Sequence, residues 1–249
     1  MSLSKNKISY ITSLKEKKFR KQHQTFVAEG SKLILDLIQS MKCQLLVLSE
    51  DMNENKIETD AEEVIIATRS ELKKASQLAT PPDAIAVFYQ TQHNYTKIDY
   101  TNKLSLLLDG VQDPGNVGTI IRIADWFGID NIFCSHDTAD IYNTKTVQAT
   151  MGALARINVH YTNIADIIAK HPDSPIYGTF LNGKNIYQEV LSSKGFIVMG
   201  SEGKGIRPEI DQLITNRLYI PSFSTNSTTS ESLNVAVATA VVCSEFRRR

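Results

Sequence analysis

Leu104–Asp130 reads LSLLLDGVQDPGNVGTIIRIADWFGID, and the order of residue types in it decides the fold. LSLLLDG is apolar without alternation, the pattern of a strand buried on both faces. Pro114-Gly115 then makes a tight turn. Asn116 suits the cap of the helix that follows, because its side chain accepts from the unpaired N–H groups of a first turn. Gly118 falls in that first turn, where a missing side chain admits another backbone or a ligand. Arg122 comes four residues later on the same helix face. It stands among Ile120, Ile121, Ile123 and Ala124, where an unpaired arginine is out of place. A polar, open junction at the end of a parallel-type strand is where α/β folds bind ligands. The plainer alternative is a capped helix with one surface arginine.

The rhythm set by this stretch continues downstream. NIFCS, INVHYT, PIYGTF, FIVMGS and RLYIPS have strand character. Helical patterns lie around Tyr142–Leu154, in NIADIIAKH, in RPEIDQLIT and in the closing SLNVAVATAVVCSEF. Apolar strands alternating with helices imply an α/β fold with a parallel sheet covered on both faces. Upstream, QLLVLS, EVIIAT and IAVFYQ are β-rich runs. FVAEGSKLILDLIQS carries Leu33, Ile34, Leu37 and Ile38 at helical spacing, and TRSELKKASQLA is a short helix opened by Thr68 or Ser70. TQHNYTKIDYTNK is polar and aperiodic. The expected organisation is a first domain over residues 1–92, a linker over 93–103 and a second domain over 104–249.

Composition narrows the class. The 249-residue chain is 42% hydrophobic, enough for ordinary cores, and holds no apolar run near the roughly 18 residues a membrane span needs. Its basic N-terminus has no apolar h-region, so no secretory leader is expected. Cys43, Cys134 and Cys243 are far apart among apolar residues and read as core fillers, giving a cytoplasmic location as the expectation. The five histidines, His23, His93, His136, His160 and His171, have no ligand spacing, and no metal is expected. Net charge is zero, but residues 1–32 hold eight Lys or Arg against Glu16 and Glu29, whereas residues 33–63 hold eight acids against Lys42 and Lys56. Lys15, Lys17, Lys18, Arg20 and Lys21 in the basic block are candidates for phosphate contacts. A solvated amphipathic helix explains the same charges.

Two further motifs follow strands. In MGSEGKGI, Gly200, Gly203 and Gly205 surround Glu202. A dinucleotide loop needs glycine where Glu202 stands, and a carboxylate there repels pyrophosphate; Lys204 is not followed by Ser or Thr, so the Walker pattern also fails. The loop suits a neutral or cationic ligand, or Glu202 pairs with an arginine such as Arg122. A flexible glycine turn is the bland alternative. In IPSFSTNSTTSESLNVAVATA, Ser232 is an acceptable cap for the closing helix, while Asn234 has less structural excuse.

D-G-x-x-D-P-x-N-x-G-x-x-x-R, G-x-E-G-x-G and I-P…S-L-N-V-x-V-A occur in order, each at a strand-to-helix junction. Together they resemble the SpoU (TrmH-type) branch of the SPOUT RNA methyltransferases. The F-x-x-E-G-x-x-L-I of Phe26–Ile34 resembles that family's RNA-binding extension, and the pair is similar to the large-subunit ribosomal RNA ribose methyltransferases. The resemblance implies a five- or six-stranded parallel sheet ending in a C-terminal trefoil knot, a rare exception to the rule against knots. A small α/β substrate-binding domain resembling ribosomal RNA-binding proteins would precede it. S-adenosyl-L-methionine would be the cofactor, held mostly by backbone at Thr179, Gly200, Ile220 and Leu233. Asn116, Arg122, Glu202, Ser232 and Asn234 would form the catalytic cluster of a homodimer that methylates a ribose 2′-hydroxyl, with 23S ribosomal RNA favoured as substrate. Transfer RNA methylation, or RNA binding without catalysis, are the alternatives. One departure is visible: the family's I-P-M-x-G is replaced by Ile220-Pro221-Ser222-Phe223, and the loop before Ser232 is longer.

Overall fold

Ser4 opens the first helix, α1 (Lys5–Ser13), by accepting from the Lys7 N–H, and α2 (Lys17–His23) ends at Gln24 in the left-handed region, φ 53°. β1 (Thr25–Glu29), α3 (Ser31–Ile38), β2 (Cys43–Ser49), β3 (Glu63–Ala67), α4 (Arg69–Ala75) and β4 (Ala84–Tyr89) follow. The computed structural model describes residues 3–52, 59–91, 102–224 and 232–248. The expected linker 93–103 lies outside them apart from its last two residues, as do residues 225–231 of the serine-rich loop.

The four strands form one mixed sheet in the order β1-β4-β2-β3. β4 runs antiparallel to β1 and β2, and β3 runs parallel to β2. β1 is the element that sequence reading folded into the helix after it. All five of its residues are buried, so no alternation marks it, and Gly30 at φ +96° makes the break into α3. Thr68 opens α4 through a capping box with Glu71. Ile11, Leu14, Val27, Val47, Leu72, Ile85 and Val87 form this sheet's core on its α1 and α4 side. This compact unit takes in Asp140–Arg156 as well, a segment whose sequence position assigns it to the second domain. Arg20 pairs with Asp140 at 2.7 Å and Phe26 packs on Tyr142 at 4.8 Å between ring centres. A buried arginine and an aromatic pair recruit the segment.

The second unit holds β5 (Leu104–Asp109), α5 (Pro114–Trp126) and β6 (Asn131–Cys134); α6 (Thr144–Thr150) belongs to the first. β7 (Asn158–Tyr161), α7 (Ile164–Ala169), β8 (Ile176–Asn185), β9 (Gly195–Gly200), α8 (Pro208–Asp211), β10 (Asn216–Tyr219) and α9 (Val235–Arg247) complete the second unit. Its six strands are all parallel, in the order β10-β8-β9-β5-β6-β7. The chain lays β6 and β7 to one side of β5, then crosses to β8 and inserts β9 between β8 and β5. The reversal falls between β5 and β9, the switch point where open α/β sheets place ligands beyond the carboxyl ends. β5 is buried at every residue, and α5 packs on α9. Cys43, Cys134 and Cys243 are all buried free thiols, as a core-filling role requires. His160 is buried near the end of β7 against Phe133, ring centres 5.1 Å apart.

Candidate active site

Asp109 and Gly200 end β5 and β9 and face each other across the ladder. From that common point two chain segments diverge, and each carries part of the site. The first runs from Asp109 into α5. Its cap is Asp113, whose Oδ1 accepts from the Asn116 N–H at 2.9 Å, with Pro114 at the first helical position. Asn116 is therefore inside the first turn, not its cap, and its side chain is released for other partners. Gly118 is buried and Arg122, one turn further along α5, is exposed.

The second segment is Ser201–Arg207. Gly200 must be glycine: a Cβ there would lie 2.2 Å from the Gly205 carbonyl carbon. Ser201 and Gly205 exchange both backbone hydrogen bonds, at 3.1 and 2.9 Å, and Gly205 adopts φ +67°. This tight loop holds Glu202 at its crest. A third part comes from the start of α9. Its cap is Asn234, not Ser232: the Asn234 Oδ1 accepts from Ala236 and Val237 N–H at 3.0 and 3.2 Å.

The three parts meet in one cluster. Glu202 Oε1 accepts from Asn116 Nδ2 at 3.0 Å, from Asn234 Nδ2 at 2.6 Å and from the Val235 N–H at 3.3 Å. Asn234 Nδ2 also donates to Asn116 Oδ1 at 3.0 Å. Both hydrogens of the Asn234 amide and both lone pairs of its oxygen are thereby used. Among the described residues, Asn116 keeps one N–H and one lone pair beyond these bonds, and Glu202 keeps Oε2. The open capacity of the cluster lies with Asn116 and Glu202, and Asn234 anchors them to α9.

Of the five expected catalytic residues the structure joins these three. Arg122 is exposed on α5 and makes no ion pair with Glu202 among the described residues, so the expected Glu202–Arg122 fork is replaced by the two asparagine amides. Ser232 is exposed, two residues ahead of Asn234, and makes no hydrogen bond to the cluster among the described residues. Asn116 and Glu202 line a cavity of about 340 Å3 with Asp109, Gly110, Asp137 and Arg207.

Asp109 and Arg207 were not singled out in the sequence. Asp109 is 1% exposed, yet its carboxylate accepts from the Arg207 backbone N–H at 2.8 Å and Nε at 2.7 Å, and from Nη2. That pairing raises the Arg207 guanidinium above its usual value. A hydrogen bond from Ser135, aided by the charge of Arg207, holds the Asp137 carboxyl below its usual range. An aspartate closing an apolar strand was the available signal, since such a group needs a partner; nothing in the sequence named the partner.

Thr179 lies within β8, Gly200 ends β9, Ile220 follows β10, and Leu233 lies in the loop before α9. Thr179 is half-buried with its hydroxyl 3.5 Å from the Val198 carbonyl, Ile220 is half-buried, and Leu233 is 49% exposed. None carries a charge, a set suited to a ligand held by backbone and apolar contact. In the first unit, Lys15, Lys17, Lys18 and Lys21 are exposed, Lys18 paired with Glu16 at 3.0 Å. Arg20 is a correction. It is 2% exposed, and its Nη1 donates to the Leu14 and Lys15 carbonyls at 2.8 and 2.6 Å, so it braces the α1–α2 junction and offers nothing to a phosphate.

A parallel sheet with a polar cluster at its switch point defines an α/β protein with a ligand site beyond the carboxyl ends of its strands. Residues 103–244 match the SpoU rRNA Methylase family and residues 5–86 the MRM3-like substrate binding domain, and the chain belongs to the SpoU rRNA methylase family. It is 31% identical to the 23S rRNA (guanosine(2553)-2′-O)-methyltransferase RlmP of Bacillus subtilis, over 99% of this chain and 98% of that one. A solved TrmH-family structure from Porphyromonas gingivalis is 42% identical, with a TM-score of 0.88 and 99% and 98% of the two chains covered. An AdoMet-bound rRNA methyltransferase from Sinorhizobium meliloti is 27% identical, with a TM-score of 0.86 and 100% and 96% covered.

Proposed function

We propose that this chain transfers a methyl group from S-adenosyl-L-methionine to a ribose 2′-hydroxyl of 23S ribosomal RNA. The observation that carries the reading is the convergence of Asn116, Glu202 and Asn234 at the carboxyl ends of β5 and β9. Three segments distant in sequence supply one neutral-donor, carboxylate-acceptor cluster beside an open cavity.

The uncharged set Thr179, Gly200, Ile220 and Leu233 fits the cofactor, which when bound supplies a methyl group already activated on a sulfonium. The task left to the protein is to orient the hydroxyl and stabilise it as its proton leaves. Asn116 meets the ribose with its open N–H and lone pair. Glu202 fixes the Asn116 amide and offers Oε2. Arg122, whose guanidinium offers donors and no acceptor, acts as a clamp on the neighbouring phosphate and on the developing alkoxide rather than as a base. Ser232 joins the cluster when substrate is bound.

The first unit selects the RNA, with Lys15, Lys17, Lys18 and Lys21 as phosphate contacts. The protein works in the cytoplasm as a homodimer whose second copy covers the α5 and α9 faces, where Trp126 is 84% and Val237 51% exposed. The insertion of β9 between β8 and β5 accompanies a trefoil knot in the C-terminal segment, as in the resembling family.

Incubating the protein with methyl-labelled cofactor and either 23S ribosomal RNA or transfer RNA tests this. Label in a ribose of the ribosomal RNA, abolished by Arg122→Ala while cofactor binding survives, is the expected result. Label confined to transfer RNA, or an Arg122→Ala variant with full turnover, overturns it.

A further inference from the structure

Glu202 stands on a loop whose five residues Ser201–Gly205 are exposed or half-buried, so packing contributes little to its position. Both ends of the loop are nevertheless fixed, and by the same residue. At its start, Gly200 pairs with Asp109 in the β5–β9 ladder. At its end, Arg207 returns to Asp109 through its backbone N–H and its guanidinium, using both carboxylate oxygens. Asp109 also begins the segment that carries Asn116. One buried carboxylate thus joins the two segments whose side chains meet at 3.0 Å in the cluster.

We propose that the Asp109–Arg207 ion pair is the positioning element that sets Glu202 against Asn116 and Asn234, and through them governs turnover. Neither residue makes a hydrogen bond to the cluster side chains among the described residues. The planar guanidinium fork fixes distance and angle in a way a single charge does not. Asp137, 3.7 Å from Arg207 Nη2, and Glu209, 3.8 Å from Nε, restrain the fork's outer side. The ladder holds Gly200 whether or not the pair exists. The cofactor set therefore keeps its shape when the pair is lost, and the loss falls on kcat.

This inference rests on the methyltransferase reading, and two independent measurements separate them. Asp109→Asn removes the charge while keeping volume, and Arg207→Gln removes the fork. Each single variant is expected to lower kcat by about 100-fold, the scale of a misplacement near 1 Å. KM for S-adenosyl-L-methionine and for RNA should stay within about threefold. The double variant should be no worse than either single, because both remove one interaction. Wild-type kcat in Asp109→Asn, a rise in KM alone, or additive losses in the double variant overturn the proposal. The second measurement needs no turnover. Tryptic cleavage at Lys204-Gly205 should accelerate about tenfold in native Asp109→Asn, a substitution that leaves every tryptic site in place. Unchanged cleavage overturns the proposal even if wild type transfers methyl groups. Accelerated cleavage in a protein that transfers none sustains the pair's hold on the loop while the methyltransferase reading falls.

Discussion

Each unit of this chain holds an arginine–aspartate pair with one partner buried, and the two pairs differ in what they leave open. In the first unit Arg20 is enclosed, its side chain 2% exposed, with Asp140 on Nη2 and two helix-end carbonyls on Nη1. In the second, Asp109 is the enclosed partner and the Arg207 side chain stays 39% exposed on the wall of the cavity. Burying the arginine stitches chain segments into a fold. Burying the aspartate and leaving the arginine on a rim aims a loop. The same chemistry gives stability in one place and alignment in the other, according to which partner is desolvated.

The sharpest way to break the contrast is Arg20→Met. It strands Asp140 and the carbonyls of Leu14 and Lys15, and should destabilise the first unit by about 3 to 5 kcal/mol. In urea, Cys43 should then become open to alkylation well before Cys134 and Cys243; simultaneous labelling of all three would mean that the pair does not act on its own unit. Asn234→Ala comes next. Losing the cap should cost about 1 kcal/mol of stability, while methyl transfer falls far more than that cost explains. A variant whose activity tracks its stability alone would reduce Asn234 to a cap. Thr68→Ala, which removes the capping box of α4, should also cost about 1 kcal/mol in chemical denaturation, with turnover unchanged.

The smallest effect concerns pH. Burial pushes the Cys43 and Cys243 thiols, one in each unit, up to about 12 from 9.0. Because the folded value is raised, this contribution to stability is whole below pH 9.0 and is lost as pH climbs from there towards 12. Each thiol should contribute a slope of at most about 1.4 kcal/mol per pH unit. Urea unfolding on both sides of that range checks it, and Cys43→Ala and Cys243→Ala should each flatten the slope of one unit.

The parallel sheet was legible because β5 and β9 are apolar runs too short for helices and too continuous for half-exposed strands. Asn116, Glu202 and Asn234 were legible as polar residues at strand ends. Their grouping was legible only through the resemblance, since the residues by themselves offered Asn116 and Ser232 as caps, whereas Asp113 and Asn234 are the caps. Pro114 already favoured a helix start one residue after Asp113. Arg20 misled for a different reason: it sits in a run of lysines, and nothing local distinguishes a solvated cation from one drawn inward by an aspartate 120 positions away. The Asp109–Arg207 pair, separated by 98 positions, was hidden by the same distance.

Trp126, the chain's one tryptophan, ends α5 at 84% exposure. The protein therefore carries its own optical reporter on the face assigned to the second copy. In the free chain its emission is that of an indole in water. Pairing would move it to shorter wavelength and shield it from dissolved quenchers, in proportion to the fraction of chains paired. A dilution series read by ultraviolet fluorescence would yield the association constant without label, tag or substrate.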